Sequence, residues 1–374
     1  MADIYFWYRV DHILANKWRP NTFDEVLGQD TTVQALKNAL DRSLLHYCYI
    51  FTGIRGVGKT TLARLFAKSL NCEQGLQAHA CGQCSSCVGI KEGNDLDCYE
   101  IDAASRTKVE ETLKILDLAT YPPTRSRYKI FLIDEVHMLS NHSFNALLKT
   151  LEQPPSHVKF LLATTDISRI PDTVRSRCIE FTLNPGKKDD VQSHIRRVCE
   201  AEDYQIDDQA LETIVDQANG SVRDAITLLQ TLMTASNDRT ITNDLVERVM
   251  GIVSEHVYEE LVKHLESNHR EKILSFLEHL SNQQTNYMRL IDQCIVKMSR
   301  LAKISQSNGS NFQNWIQIAL LTKRDAALYP SMKIAFEMMI MRMLEFVPKI
   351  NNLNQGPITD QKKNYHKDKS TQSI

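Results

Sequence analysis

The chain has 374 residues, 42% of them apolar and 24% charged, and at ~100–200 residues per domain that length fits two or three domains. Lys and Arg total 44 against 46 Asp and Glu, a formal net charge of -2, which excludes a generally basic nucleic-acid coat and leaves only a local basic track. No apolar run approaches the ~18–20 residues of a bilayer span, and the opening MADIYFWYRVDH is short and broken by Asp3, Arg9 and Asp11, unlike a signal peptide. The expectation is a soluble, cytoplasmic protein with no membrane partner.

In chain order, short apolar runs come first: YCYIFT (47–52), LDCYEI (96–101), KIFLID (129–134), KFLLATT (159–165) and IEF (179–181). Rich in Ile, Leu, Phe and Tyr, they read as strands buried on both faces. Helix-period stretches such as 60–71 and 144–153 lie between them, and this alternation predicts an α/β domain with a mainly parallel sheet. After Pro185 the strand signal stops, and helices are expected at about 189–203, 207–219, 222–235 and 243–250. Gly220 reads as a stop and Ser221 as an N-cap, with Asp224 completing a capping-box-like pair. A third block, 254–347, is also helical, with an apolar face at Ile291, Ile295, Met298 and Leu301. Its run from Met332 to Phe346 is apolar on nearly every side and calls for burial by other helices, of this chain or of other subunits. From Asn351 the chain is polar and almost without apolar anchors, the composition of a disordered tail.

Residues 53–60 read GIRGVGKT, a G-x-x-x-x-G-K-[ST] loop between a strand and a helix. Its backbone N–H groups (Gly53, Ile54, Arg55, Gly56, Val57, Gly58) and the helix start at Lys59, Thr60 and Thr61 suit phosphate oxygens. Lys59 would reach the β- and γ-phosphates of ATP, and the Thr60 hydroxyl would bind Mg²⁺. Asp134 and Glu135 follow a buried strand, where α/β sheets bind ligands. Asp134 fits a Mg²⁺ partner and Glu135 a residue that orients or deprotonates the attacking water; an N-cap role would explain only one of the two acids. Thr164 and Thr165 end the next strand and could place a hydroxyl near the γ-phosphate, or simply fill the strand. Arg177, before the last strand, could serve a neighbouring subunit's nucleotide or form a surface ion pair. Arg223 falls in the first turn of the helix capped by Ser221, where the helix dipole disfavours a cation by ~0.3–1 kcal/mol; that placement calls for an anionic partner. Arg106 and Lys108, past the second strand, are candidates for DNA contact or for an ordinary solvated helix start.

Four of the nine cysteines, Cys72, Cys81, Cys84 and Cys87, form C-x8-C-x2-C-x2-C, whereas Cys48, Cys98, Cys178, Cys199 and Cys294 are scattered singly. Overlapping C-x-x-C units and a returning loop suit a closed tetrahedral site, hence a structural Zn²⁺. An iron–sulfur cluster is the main rival and four free thiols a weaker one. The module interrupts the α/β domain as a surface insertion.

With KWRP (17–20), GIRGVGKTTLARLFAKSLNC (53–72), the four cysteines, EIDAASRTKVEE (100–111), LIDEVHMLS (132–140), FNALLKTLEQPP (144–155), KFLLATTD (159–166), SRC (176–178) and GSVRDA (220–225), the chain resembles the gamma/tau subunit family of bacterial DNA polymerase III, the clamp-loader ATPases. The likeness extends over about 15–350, is strongest before 235, and is weak at FEMMIMRMLEF (336–346). It implies an AAA+ α/β domain over 1–184 with a zinc module at 72–87, a helical lid over 185–250, a helical collar over 251–350 forming a pentameric ring, and a tail over 351–374. By motif match it implies a first-sensor role for Thr165, a second-sensor role in cis for Arg223 and an arginine finger in trans at Arg177. Trp18, Arg19 and Pro20 would help cover the adenine, with Val57 and Val222 nearby. The partners implied are other loader subunits, the sliding clamp, primer-template DNA and, indirectly, the polymerase core. The segment before KWRP is longer than the family's and unlike it, and the chain ends soon after the collar, as a loader-only form would. A DExH helicase is the rival reading of DEVH, but needs a second strand-rich motor domain where 185–350 offers helices. A nucleotide-gated scaffold is the other, although Lys59, Thr60, Asp134 and Glu135 are all present.

Overall fold

A computed structural model describes residues 13–105, 114–251, 255–281, 286–304 and 309–346. Arg106, Lys108 and the expected tail from Asn351 lie outside the described residues. The chain divides into two compact units at Met250/Gly251.

The first unit is built on five parallel strands: β1 (Cys48–Thr52), β2 (Cys98–Asp102), β3 (Lys129–Asp134), β4 (Val158–Thr164) and β5 (Ile179–Thr182), in the order β2-β3-β4-β1-β5. β1, β3 and β4 occupy the middle and are almost wholly buried, whereas the edge strands β2 and β5 are partly exposed. Side chains alternate between two cores, as the pleat requires. Tyr49, Phe51, Ile130, Leu132 and Leu161 pack on one face with α2 (Asp30–Asp41) and α3 (Lys59–Asn71), where Leu36, Leu62 and Phe66 are fully buried. Cys48, Ile50, Phe131, Ile133, Phe160 and Leu162 pack on the other face with Leu147 of α5 (Asn141–Glu152). A short helix, α1 (Leu14–Lys17), precedes this array, α4 (Ser85–Glu92) follows the cysteine loop, and α6 (Asp172–Arg175) leads to β5.

The chain then forms α7 (Lys188–Ala201), α8 (Asp208–Ala218), α9 (Val222–Ala235) and α10 (Asn243–Met250). Ser221 caps α9 as its spacing predicts, accepting from the Asp224 N–H at 3.2 Å. Gly220, at φ +79°, sits so close to the entry into α7 that a Cβ would lie 2.5 Å from Pro185 Cβ, and its carbonyl accepts from the Gly186 N–H at 2.9 Å. One departure from the sequence reading is a two-stranded parallel pair, β6 (Gln205–Ile206) with β7 (Thr240–Ile241). Two residues per strand are too few to carry a period-2 pattern.

The second unit is helical in its described residues: α11 (Glu255–Glu266), α12 (Arg270–Ser281), α13 (Tyr287–Ile304), α14 (Gly309–Arg324) and α15 (Met332–Glu345). Ile291, Cys294, Met298, Trp315, Phe336, Met339 and Met343 form its core, and the Trp315 indole N–H donates to the Met343 carbonyl at 3.0 Å. The apolar run in α15 is buried on one side only. Ala335, Phe336, Met339, Ile340, Met343 and Leu344 face the core, whereas Ile334 and Met338 are 40% and 44% exposed.

No helix among the described residues is long and apolar enough to cross a membrane.

Candidate functional site

Because all five strands are parallel, the loops after β1, β3 and β4 gather at one end of the sheet, the end where α/β proteins bind ligands. A cleft of 520 Å³ opens there, lined by Arg55–Thr61, Asp134, Glu135, Trp18, Arg19, Pro20, Val222 and Arg223. Gly58 caps α3 without any side-chain hydrogen bond, so the first-turn N–H groups are not occupied by a capping side chain. Lys59 is 5% exposed and donates to the Gly53 and Ile54 carbonyls at 3.0 and 2.9 Å. The Thr60 hydroxyl donates to Asp134 Oδ2 at 2.7 Å, joining the two residues expected to share Mg²⁺.

Glu135 adopts a left-handed conformation at φ +47°, a backbone state that costs a non-glycine residue about 1–3 kcal/mol and is found mostly at functional sites. Its carboxylate accepts from the backbone N–H and hydroxyl of Thr165 at 3.2 and 3.0 Å. His137 lies 3.4 Å from the same oxygen and 2.9 Å from the Thr164 hydroxyl. β3 and β4 thus bring the expected water-orienting acid and the expected first sensor into direct contact.

The lid side meets the loop at Gly56. The Arg223 N–H donates to the Gly56 carbonyl at 3.3 Å. Gly56 is at φ +80°, and a Cβ there would lie 2.0 Å from Ser221 Oγ, so only glycine fits.

Cationic groups converge on the cleft. Burial, reinforced by the Arg64 and Arg223 guanidinium groups, pushes Arg19 below its ordinary pKa; burial does the same to Lys59, helped by Arg55. Desolvated cations facing one cleft create a field that an anion relieves.

Thr165 and Arg177 are not in the lining of this cleft, nor are Gly53 and Ile54. Arg177 lies at the other end of the sheet, just before β5, whose Ile179 pairs with Tyr49 near the start of β1. Its guanidinium donates to the Thr173 carbonyl at 2.7 Å and meets Glu152 at 3.4 Å. The sequence reading missed His194 of α7. It is 7% exposed, borders the cleft, packs edge-on against Trp18 at 5.9 Å, and has neither ring nitrogen hydrogen-bonded. Burial and neighbouring Arg197 keep it below its ordinary pKa. Its signal was present: a histidine within the buried stripe Val191, Ile195, Val198.

At the far end of α3, Cys72, Cys81, Cys84 and Cys87 place their sulfurs within 4.8 Å of one another. The Cys81 N–H points to Cys72 Sγ at 3.4 Å, the Cys84 N–H to Cys81 Sγ at 3.3 Å and the Cys87 N–H to Cys84 Sγ at 3.5 Å. Backbone N–H groups of Gln83 and Cys84 draw Cys81 down to about 6, and burial pushes Cys87 up. A tetrahedral ion with bonds of about 2.3 Å needs sulfurs about 3.8 Å apart, so the four thiols fit one. Two of the supposedly single cysteines are not single: Cys48 and Cys178 form a disulfide.

Residues 28–187 match the family described as DNA polymerase III, delta subunit, and residues 190–237 match the ATPase lid domain of DNA polymerase III clamp loader subunits. The DNA polymerase III subunit gamma of Buchnera aphidicola subsp. Baizongia pistaciae is 39% identical over 377 residues, covering 93% of this chain and 98% of that one. The subunit tau/gamma of Haemophilus influenzae is 40% identical over 355 residues, and the subunit tau of Escherichia coli 37% identical over 360. Each of these two covers 90% of this chain, which spans 52% and 56% of their respective lengths. With its parallel α/β domain, cysteine insertion and helical lid matched by a gamma subunit over nearly its whole length, the chain belongs to the DNA polymerase III gamma/tau family of AAA+ clamp-loader subunits.

Proposed function

We propose that this chain is an ATP-hydrolysing subunit of a loader that places a ring-shaped sliding clamp on primed DNA, working in a pentameric ring with other loader subunits and only indirectly with the polymerase core. The observation that carries this reading is the convergence of Lys59, Thr60, Asp134 and Glu135 at the strand ends, facing Arg223 of the lid.

In this reading Arg55–Thr61 wrap the phosphates, with Lys59 exchanging its two loop carbonyls for phosphate oxygens. Thr60 and Asp134 would hold Mg²⁺, which would supply charge neutralisation at the β- and γ-phosphates. Glu135 orients or deprotonates the attacking water, and Thr165, now bonded to Glu135, ties that carboxylate to the end of β4 as the first sensor. Arg223 reports the nucleotide to the lid as the second sensor. Trp18, Arg19 and Pro20 cover the base side, although the desolvation of Arg19 beside Arg64 and Arg223 gives it an electrostatic part too. The four cysteines would hold a structural Zn²⁺ and leave no position for substrate. The domain limits follow the same reading: 1–184, a lid over 185–250, a collar over 251–350 and a tail over 351–374. Arg106 and Lys108 remain the proposed DNA contacts.

Arg177 acts in trans. Its distance from its own phosphate loop, a full strand length away, supports service to a neighbour's nucleotide. Lys59→Ala should lose nucleotide binding; Arg177→Ala should bind ATP, assemble, and lose hydrolysis by up to roughly 10³–10⁵-fold. Mixed rings should recover turnover wherever an Arg177→Ala chain, with its intact loop, sits beside a Lys59→Ala chain, with its intact arginine. Mixed rings that form and stay inactive would overturn the trans assignment; undiminished turnover by Lys59→Ala would overturn the site.

A further inference from the structure

Cys48 begins β1, the strand that runs directly into the phosphate loop, and is fully buried. Cys178 lies 130 residues away in sequence, in the turn between α6 and β5, immediately after Arg177. The pairing of β1 with β5 brings the two Cα atoms to 4.7 Å, inside the range a disulfide spans. Cys178 is only half-buried, so small reagents reach it before Cys48. Its Sγ also lies 3.2 Å from the Val174 carbonyl, an acceptor ready for the thiol when the bond is open. The bonded form ties the turn down where Arg177 is already engaged with its own Thr173 carbonyl and Glu152.

We infer that Cys48 and Cys178 are a reversible thiol–disulfide pair that, when bonded, restrains the Arg177 turn. Disulfides in reducing compartments are usually transient and regulatory rather than structural. The oxidant class is a small-molecule disulfide. The Cys178 thiolate attacks it, forming a mixed disulfide and releasing one small thiol. The Cys48 thiolate then attacks the Cys178 sulfur and displaces the second. Two protein thiols lose two electrons and two protons, and one reagent disulfide becomes two thiols. The restraint half of the inference rests on the trans reading of Arg177; the bond itself does not.

The test uses the full chain, incubated with oxidised glutathione or with dithiothreitol, and mapped by mass spectrometry without reduction while bound metal is measured in parallel. The expected result is a Cys48–Cys178 linked peptide in the oxidised sample with the metal retained. In rings assembled with loader subunits, turnover should be several-fold lower oxidised than reduced, with nucleotide affinity of the chain unchanged. Cys178→Ser and Cys48→Ala should each abolish both the peptide and the redox ratio. The half-buried position, Cys178, is the safer substitution should the fully buried Cys48 disturb the fold. Absence of the linked peptide while both cysteines alkylate freely would overturn the pair. A peptide that forms without changing turnover, in rings where Arg177→Ala does stop hydrolysis, would overturn the restraint alone.

Discussion

Helix α3 begins in one polar site and ends in the other, and the two are built on opposite plans. At its start, Gly58 supplies no capping side chain, and Lys59 and Thr60 hold partners they can exchange: two loop carbonyls and the Asp134 carboxylate. At its end, Cys72 joins three more sulfurs, and backbone N–H groups are already directed at Cys72, Cys81 and Cys84. Thirteen residues separate these ends, about 20 Å of helix. An open site leaves polar groups for a ligand and is judged by binding and rate. A closed one spends all its ligands on the protein and is judged by folding. Leu62, Phe66 and Leu70 bury the helix between them in the sheet, so neither site can shift the other without moving the core.

That contrast can be broken in three places. The largest effect belongs to the open end: Glu135→Gln should lower ATP turnover by roughly 10²–10⁴-fold while ATP still binds, measured by steady-state hydrolysis and equilibrium titration. Turnover within threefold of the parent would remove Glu135 from the chemistry. Next comes the closed end. Elemental analysis should find one zinc per chain, and Cys84→Ser should lose it, together with protection of residues 72–92 from proteolysis. ATP affinity should then change by less than about threefold, because the core-packed helix lies between; iron in the parent, or a parallel collapse of ATP binding, would contradict the separation. The smallest change is at the lid seam. Gly56→Ala forces a Cβ against Ser221 and into a strained backbone, so melting should report a loss of about 1–3 kcal/mol, with no change in bound metal.

Much of this layout was legible because its signals are local. The five strands announce themselves as short apolar runs, although only β1, β3 and β4 are buried on both faces as expected and the edge strands β2 and β5 are partly exposed; the phosphate loop and the cysteine spacing each lie within a span of sixteen residues or fewer. What stayed hidden depends on register and approach. Cys48 and Cys178 looked single because only the β1–β5 pairing unites them. Glu135 was readable as an acid at a strand end, but its left-handed backbone carries no local signal, and its bonds to Thr165 arise from β3 and β4 lying side by side. His194 sits in an apolar stripe, where a sequence reader assigns it to the core; its placement against Trp18 depends on how α7 meets the KWRP segment. The one-sided burial of α15 was equally inaccessible, since an apolar residue in a pattern does not say which neighbour covers it.

The close approach of Gly56 to Ser221 and Arg223 has a mechanical consequence. The Ser221 hydroxyl, held by the Asp224 N–H, and the Arg223 Cβ pack so closely on Gly56 that not even a methyl group fits between the tip of the phosphate loop and the first turn of the lid helix. A shift of the loop by a few tenths of an ångström therefore has no compliant layer in which to dissipate. It bears directly on the 3.3 Å contact with the first turn of α9. The seam works as a feeler gauge, with a clearance set by a glycine and a motion read out by a helix.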